Sequence, residues 1–250
     1  MEVGVDGRPI YGSAANANNA FITKPGYPIA SFYGYKYIGV FQSEEELAKY
    51  PHLSGDKVGD GRYEDVNKDG VLDQNDKTIL GDNNPLFTAG FSNSFSYKNF
   101  TLDIQFTGSY GAEVFSFYKR MCGIYHGDRN GMIEQLGRWQ SKDQPGDGIH
   151  FRPTRTPSGW QRDPSSAWVQ DASYLRLRNL TLGYNFDQKV LDKMKMKGLR
   201  LYVTGQNLFT ITNYVGYDPE TSSESGLAQG GDYLGYPAAR SFIIGANITF

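Results

Sequence analysis

The chain has 250 residues, a formal charge of −2 and a hydrophobic fraction of 39%. That charge leaves no broad basic surface for nucleic acid. The single cysteine, Cys122, excludes an internal disulfide framework and reads as a lone buried thiol. Thirty glycines, 18 tyrosines and 15 phenylalanines favour β-structure joined by polar loops over a helical bundle.

Met1–Asp6 has no basic start followed by an apolar core, and no run approaches the ~18 apolar residues of a membrane helix. For an exported protein this reads as a piece of a longer chain. Residues 1–30 are expected to form a loop or partial strand, and a weak Tyr- and Phe-rich strand is expected over Ser31–Phe41. Ala89, Phe91, Phe95 and Tyr97 then alternate with Thr88, Ser92, Ser94 and Ser96. Phe100, Leu102, Ile104 and Phe106 alternate with Thr101, Asp103, Gln105 and Thr107. A period of two with small polar residues on the second face describes strands between an apolar and a wet environment. Their length of ~10 residues suits a tilted strand crossing a bilayer.

Tyr174–Phe186 carries Leu175 and Leu177, then Leu180, Leu182, Tyr184 and Phe186, so the apolar phase flips near Arg178–Asn179. A β-bulge explains such a flip, as does a passage from rim to membrane. Asp187–Gly198 is a short basic link with room for a helical turn carrying Leu191 and Met194. Leu199–Ile211 is a further strand. In the last segment Phe242, Ile244, Ala246, Ile248 and Phe250 share one face, with Ile243 the exception on the other. The remaining links, 42–85, 111–173 and 212–239, are long. Counting strands back from Phe250 puts every short link at one end and every long link at the other, as in barrels with short periplasmic turns and long extracellular loops. The fold class is therefore all-β, a transmembrane antiparallel β-barrel segment with long extracellular loops. Within those loops Glu113–Met121 and Met132–Trp139 have room for short helices.

The sharpest local motif is Asp65-Val66-Asn67-Lys68-Asp69-Gly70-Val71-Leu72-Asp73-Gln74-Asn75-Asp76. Asp65, Asn67, Asp69, the Val71 carbonyl, Asp73 and Asp76 stand where a calcium loop places its oxygens, with Gly70 at the sharp turn. Position 12 is Asp rather than the usual Glu, and no strongly helical segment precedes Asp65. The motif is a calcium-type loop rather than a full EF-hand, and Ca2+ there would pin a long loop. A metal-free Asx turn is the alternative. Leu72 is expected to anchor the loop to a core. His52, His126 and His150 make no zinc spacing with Cys122, and no nucleophile elbow or phosphate loop is present. The chain is therefore read as not an enzyme. Of the loop aromatics, Tyr33, Tyr35, Trp139, Trp160, Tyr217 and Tyr233 are candidates for stacking on a ligand in an outer vestibule. For any one ring, packing or interfacial anchoring is the competing role.

Several motifs recur together: Phe32-Tyr33-Gly34-Tyr35-Lys36, Asp60-Gly61-Arg62-Tyr63-Glu64-Asp65-Val66-Asn67-Lys68-Asp69-Gly70, Ser173-Tyr174-Leu175-Arg176-Leu177-Arg178-Asn179-Leu180-Thr181-Leu182-Gly183-Tyr184, Gly205-Gln206-Asn207-Leu208-Phe209-Thr210, Gly216-Tyr217-Asp218-Pro219-Glu220 and the terminal Phe250. In this order they resemble the C-terminal part of SusC/RagA-type TonB-dependent outer-membrane transporters, over residues 31–250. The resemblance implies a barrel of about 22 strands closed around an N-terminal plug. It implies uptake of glycan oligosaccharides or peptides across the outer membrane of a Gram-negative bacterium. The implied partners are a SusD-like surface lipoprotein, the TonB complex acting through the plug, and outer-membrane lipid. Plug, TonB box and most strands of that pattern are missing from this chain, so alone it is not expected to transport. The competing reading is a soluble secreted β-sandwich that binds carbohydrate and is stiffened by calcium.

Overall fold

The computed structural model describes residues 8–14, 17–123, 131–153, 163–221 and 225–250. The chain divides into two compact units. One gathers Pro85–Ala112, Asp171–Pro219 and Tyr236–Phe250; the other gathers the described residues of Met1–Asn84, Glu113–Gln170 and Glu220–Gly235.

The first is a sheet unit. In the whole chain's numbering its strands are β7 (Phe87–Tyr97), β8 (Phe100–Tyr110), β11 (Tyr174–Asn185), β12 (Gly198–Thr212) and β14 (Ser241–Thr249). They form one antiparallel five-stranded sheet in the order β14-β12-β11-β8-β7. Residues directly opposite in an antiparallel pair share a face. Phe95 faces Leu102, which faces Leu182, which faces Val203, which faces Ile244. One residue along, Ser94 faces Asp103, then Thr181, Thr204 and Ile243. The alternation in each strand is thus aligned across the sheet into one apolar and one polar face. Exceptions include Asn93 on the apolar face, opposite Ile104, and Tyr202 and Ile243 on the polar one.

The phase flip in β11 is a bulge. Leu177 faces Phe106 while Asn179 faces Gln105, so Arg178 is an extra residue against β8. On the other side Leu177 faces Phe209 and Asn179 faces Gln206, so β12 answers with its own extra residue. Asn207 takes it up at φ 50°, a left-handed conformation that Asn tolerates better than most residues. Leu175 and Leu177 thereby stay on the same face as Leu180 and Leu182.

Hydrogen bonds between side chains knit the polar face. Ser94 Oγ donates to Asp103 at 2.6 Å, Arg178 Nε donates to Thr107 at 2.9 Å, and the Thr181 and Thr204 hydroxyls lie 2.8 Å apart. Arg176 is 2% exposed; its Nε donates to Thr210 and its Nη2 pairs with Asp218, itself 8% exposed. The other Asp218 oxygen accepts the Ala238 N–H at 2.9 Å.

The second unit is built from the long links and the N-terminal segment. β1 (Ile10–Ala14), β2 (Ala17–Thr23), β3 (Ser31–Gly34) and β6 (Thr78–Gly81) form a four-stranded sheet in that order. Of residues 1–30, expected as a loop or partial strand, Ile10–Ala14 and Ala17–Thr23 thus form two antiparallel strands. The expected strand over Ser31–Phe41 is two short strands in different sheets, β3 and β4 (Tyr37–Val40), the latter paired with β5 (Gly61–Tyr63). Gly34 separates them because the chain there runs against Pro164: a Cβ on Gly34 would lie 2.1 Å from the Pro164 carbonyl oxygen. β9 (Glu113–Ser116) joins β10 (Val169–Asp171) and β13 (Gly231–Asp232). The helices are short: α1 (Glu44–Lys49), α2 (Phe117–Gly123) and a 3-10 turn at Ile133–Gly137 in this unit, and α3 (Gln188–Met194) in the sheet unit. An aromatic core of Phe21, Phe32, Phe115, Phe117, Phe151 and Trp168 holds these pieces together. The Arg152 guanidinium grips the 3%-exposed Asp60 through both oxygens, at 2.8 and 3.1 Å, joining two of the long links.

Two outcomes follow. Ile104→Arg, at mid-strand on the apolar face, should cost about 2–4 kcal/mol in urea titrations of vesicle-inserted protein. Ser92→Arg, on the polar face, should cost far less; equal costs would mean that the faces do not meet different media. Asp218→Ala strands the buried Arg176 charge and should cost about 3–5 kcal/mol, read as a fall in denaturation midpoint.

Candidate functional site

Tyr33, on β3, lines a cavity of about 420 Å³ together with Tyr11 of β1, Ile22 of β2, Tyr27, Lys24 and Lys77. The β1-β2-β3 sheet brings these residues together. The Tyr11 and Tyr33 rings lie 5.8 Å apart at 50°. The Lys24 ammonium sits 4.4 Å from the centre of the Tyr27 ring, where the ring's negative face attracts it. Burial raises the Tyr33 hydroxyl pKa, and the neighbouring Tyr11 hydroxyl adds to the rise, so Tyr33 stays a neutral donor and acceptor. Three hydroxylated rings and two ammonium groups can stack on a flat apolar ligand face and hydrogen-bond or ion-pair at its edges.

The other candidate rings go elsewhere. Tyr35 is 1% exposed and packs against Tyr63 and Leu72, so it is a core residue rather than a ligand contact. Burial, with the nearby Asp163 carboxylate, drives its pKa far above the ordinary tyrosine value. Trp139 packs on the aromatic core and over Gly59, whose added Cβ would lie 2.5 Å from the indole. Tyr233 is 58% exposed and makes an edge contact with Phe117 at 6.2 Å. Tyr217 is 63% exposed and lies in the sheet unit. Trp160 lies outside the described residues. Among the described residues no ring contact joins Tyr33, Trp139 and Tyr233. Sequence reading missed Tyr11, Lys24, Tyr27 and Lys77.

The acidic loop is closed by its own hydrogen bonds. Asp65 accepts the Lys68 and Gly70 amides at 2.6 and 2.9 Å, and Asp69 accepts the Val71 amide at 2.8 Å. Asn67 donates to Asp69 at 2.9 Å, and Asp73 accepts the Asn75 amide at 2.7 Å. Asp76, fully buried, accepts the Val66 and Asp73 amides at 2.9 and 2.8 Å and so braces both ends of the loop. Gly70 turns at φ 84°. Leu72, 5% exposed, anchors the loop on Tyr35 and Tyr63. Among the described residues no three carboxylate, imidazole or thiol side chains are grouped to hold a metal ion.

Beside the aromatic core lies a second cavity of about 350 Å³, lined by Tyr37, Phe151, Trp168, Gln135, Glu134 and His150 among others. Although burial works against it, the Asp147 carboxyl is held below its usual pKa by the His150 and Ile149 amides and the His150 ring. These groups form a hydrogen-bonded corner.

No family model matches the chain. The sequence is 35% identical over 236 residues to TonB-dependent receptor P3 of Formosa agariphila, covering 92% of this chain and 23% of that protein. It is 32% identical to TonB-dependent receptor P26 of the same organism, covering 94% and 24%. It is 26% identical to TonB-dependent receptor SusC of Bacteroides thetaiotaomicron, covering 95% and 21%. The fold matches the RagAB peptide importer in its open-open state with a TM-score of 0.71 at 22% identity, over 95% of this chain and 24% of that one. A second RagAB structure, described as a peptide transporter, gives a TM-score of 0.72 at 22% identity, over 92% and 24%. The chain spans about a quarter of the length of the curated relatives that it matches. Over nearly its whole length the chain is thus similar to a part of TonB-dependent receptors, SusC among them, as the order of its motifs implied.

Proposed function

We infer that this chain forms part of the wall and outer vestibule of an outer-membrane transporter energised through TonB. The observation that carries the reading is the apolar face of the five-stranded sheet. Phe91, Phe95, Phe100, Leu182, Ile211, Phe242 and Ile244 are each at least half exposed on it. A soluble protein rarely leaves so continuous an apolar surface to water, whereas hydrocarbon favours it. Among the described residues β7 and β14 form the two edges of this sheet, and in a bilayer every such edge must be hydrogen-bonded. A closed barrel of about 22 strands, completed by further chain, meets that demand. In this reading the chain has no catalytic role, its cargo is an oligosaccharide or a peptide, and a SusD-like lipoprotein is the surface partner. The peptide named for the RagAB structures and the Tyr- and Lys-lined cavity are both compatible with such cargo.

The reading extends to the acidic loop, where Ca2+ would be held by Asp65, Asn67, Asp69, the Val71 carbonyl and Asp73. The oxygen spacing and the left-handed Gly70 support it, while Asp76 holds the loop together from its buried position.

Three measurements test these statements. Expressed in a Gram-negative host within the receptor it belongs to, the chain should fractionate with the outer membrane and need detergent for extraction. A chain that is dispersed and folded in plain buffer would sink the wall reading and favour the β-sandwich. Combined Lys24→Ala and Tyr33→Ala in that receptor should weaken cargo binding about tenfold or more, since buried, paired contacts are worth about 1–2 kcal/mol each; unchanged affinity would remove the cavity from the cargo path. Calcium at a hundredfold excess over its Kd should stabilise the loop unit by about 2.7 kcal/mol, and Asp69→Ala should abolish the gain. A melting temperature indifferent to both calcium and chelator would leave the loop as a metal-free turn.

A further inference from the structure

The register of the sheet brings its short turns to one end. Tyr97 faces Phe100, Tyr184 faces Phe100, and Gly198 faces Thr249. The turn at Lys98, the link containing α3 and the terminal Phe250 therefore lie together. They are tied by the Asn99 side chain donating to Asp187 at 2.8 Å and by the Lys197 N–H donating to the Thr249 carbonyl at 2.8 Å.

Five lysines collect there: Lys98, Lys189, Lys193, Lys195 and Lys197, against two aspartates, Asp187 and Asp192, in a chain whose overall charge is −2. All five lysines are exposed, and among the described residues none makes an ion pair. The two aspartates are engaged instead by the Asn99 and Gln188 amides, each at 2.8 Å. Lys189 and Lys193 fall four apart on α3. Lys195 ends that helix at φ 53°, and Lys197 follows in extended chain. The helix buries Leu191 and leaves Val190 and Met194 at least 40% exposed.

An aromatic band lies directly beside this charge. Tyr97, Phe100 and Phe250 are 72%, 50% and 76% exposed, and Tyr184 makes edge contacts with Phe100 and Phe186 at 4.9 and 5.0 Å. The Lys98 ammonium lies 5.4 Å over the Tyr97 ring, so its stem runs along the aromatic surface while the charge reaches past it. Aromatic rings at headgroup depth with ammonium groups just beyond them match the phosphate layer of a leaflet rather than bulk water.

We propose that the short-turn end of the sheet is a binding surface for anionic phospholipid headgroups, with Lys98, Lys189, Lys193, Lys195 and Lys197 pairing their phosphates. The proposal rests on the membrane-wall reading and adds to it a lipid preference. The interaction is electrostatic, so it weakens as salt rises.

The test uses the receptor containing this chain, inserted into phosphatidylcholine vesicles with either spin-labelled phosphatidylglycerol or spin-labelled phosphatidylcholine as probe. Wild type should immobilise the anionic probe with roughly tenfold preference at low ionic strength, and the preference should fall with added salt. Lys189→Gln, Lys193→Gln, Lys195→Gln and Lys197→Gln combined should abolish it, and the matching four arginine substitutions should keep it. If the fourfold glutamine variant does not insert, the pairs Lys189→Gln with Lys193→Gln and Lys195→Gln with Lys197→Gln, with the wild-type salt titration, decide. Equal immobilisation of both probes, a preference indifferent to salt, or a preference surviving in the glutamine variants overturns the proposal while leaving the wall reading intact. Protein that stays folded outside vesicles of either composition removes the wall reading first.

Discussion

Everything in the sheet unit depends on keeping one register while its two faces meet different media. Side chains alternate along a strand, so a slip of one residue would carry every leucine and phenylalanine of that strand to the polar side. The bulge at Arg178 shows how strictly this is enforced. One extra residue in β11 would invert the upper third of the strand against β8, yet it is placed where the leucine pattern itself skips. The neighbouring strand must then absorb the change, and Asn207 does so at a backbone angle that few side chains accept cheaply. The polar face reinforces the choice. The Thr181–Thr204 and Arg178–Thr107 hydrogen bonds exist only in this alignment. Register is thus specified twice, by what the apolar face excludes and by what the polar face pairs.

The loop unit answers a different constraint. Links of this length cannot leave their backbone polar groups half-buried without partners, and they do not repeat a simple pattern. They fold around their own aromatic core instead. Phe21 and Phe32 meet edge-on at 5.7 Å, and both approach Phe115 at about 6 Å, though Phe115 comes from a different link. Much of the tyrosine and tryptophan content that looks available for ligands is consumed here. Tyr35 and Trp139 pack, whereas Tyr33 with its neighbours Tyr11 and Tyr27 lines a cavity.

This difference explains what could be read from the residues alone. The long strands were legible because period two is a local property, and the phase flip at Arg178 carried the bulge with it. The alternation of short and long links followed from the same strand count. The helical turn on Leu191 was legible from its spacing, and so was the anchoring of the acidic loop by Leu72. The loop unit was not, because its defining contacts join residues about a hundred positions apart. Tyr33 and Tyr35 make the point sharply. Two apart, they would share a face in one continuous strand, but β3 ends at Gly34 against Pro164, and the two rings part into a cavity and a core. Lys24 and Tyr27 escaped notice for a related reason: they sit in the turn after a pair of strands that composition alone presents as an unstructured beginning.

The sheet is sorted along its strands as well as across its faces. A polypeptide with nearly balanced charge has no electrostatic need to gather lysines, and spreading them would lower their mutual repulsion. Here five stand together at the short-turn end, with no ion pair among the described residues, while the aspartates beside them are engaged by amide groups instead. Arginine serves the polar face, where its fixed fork can reach the Thr210 hydroxyl and the Asp218 carboxylate at once. Lysine serves the rim, where a flexible stem can lie on an aromatic ring and present a mobile charge. The division of the two cations between interior pairs and rim charges is what a strand needs if its polar side is fixed by protein and its end by a fluctuating surface.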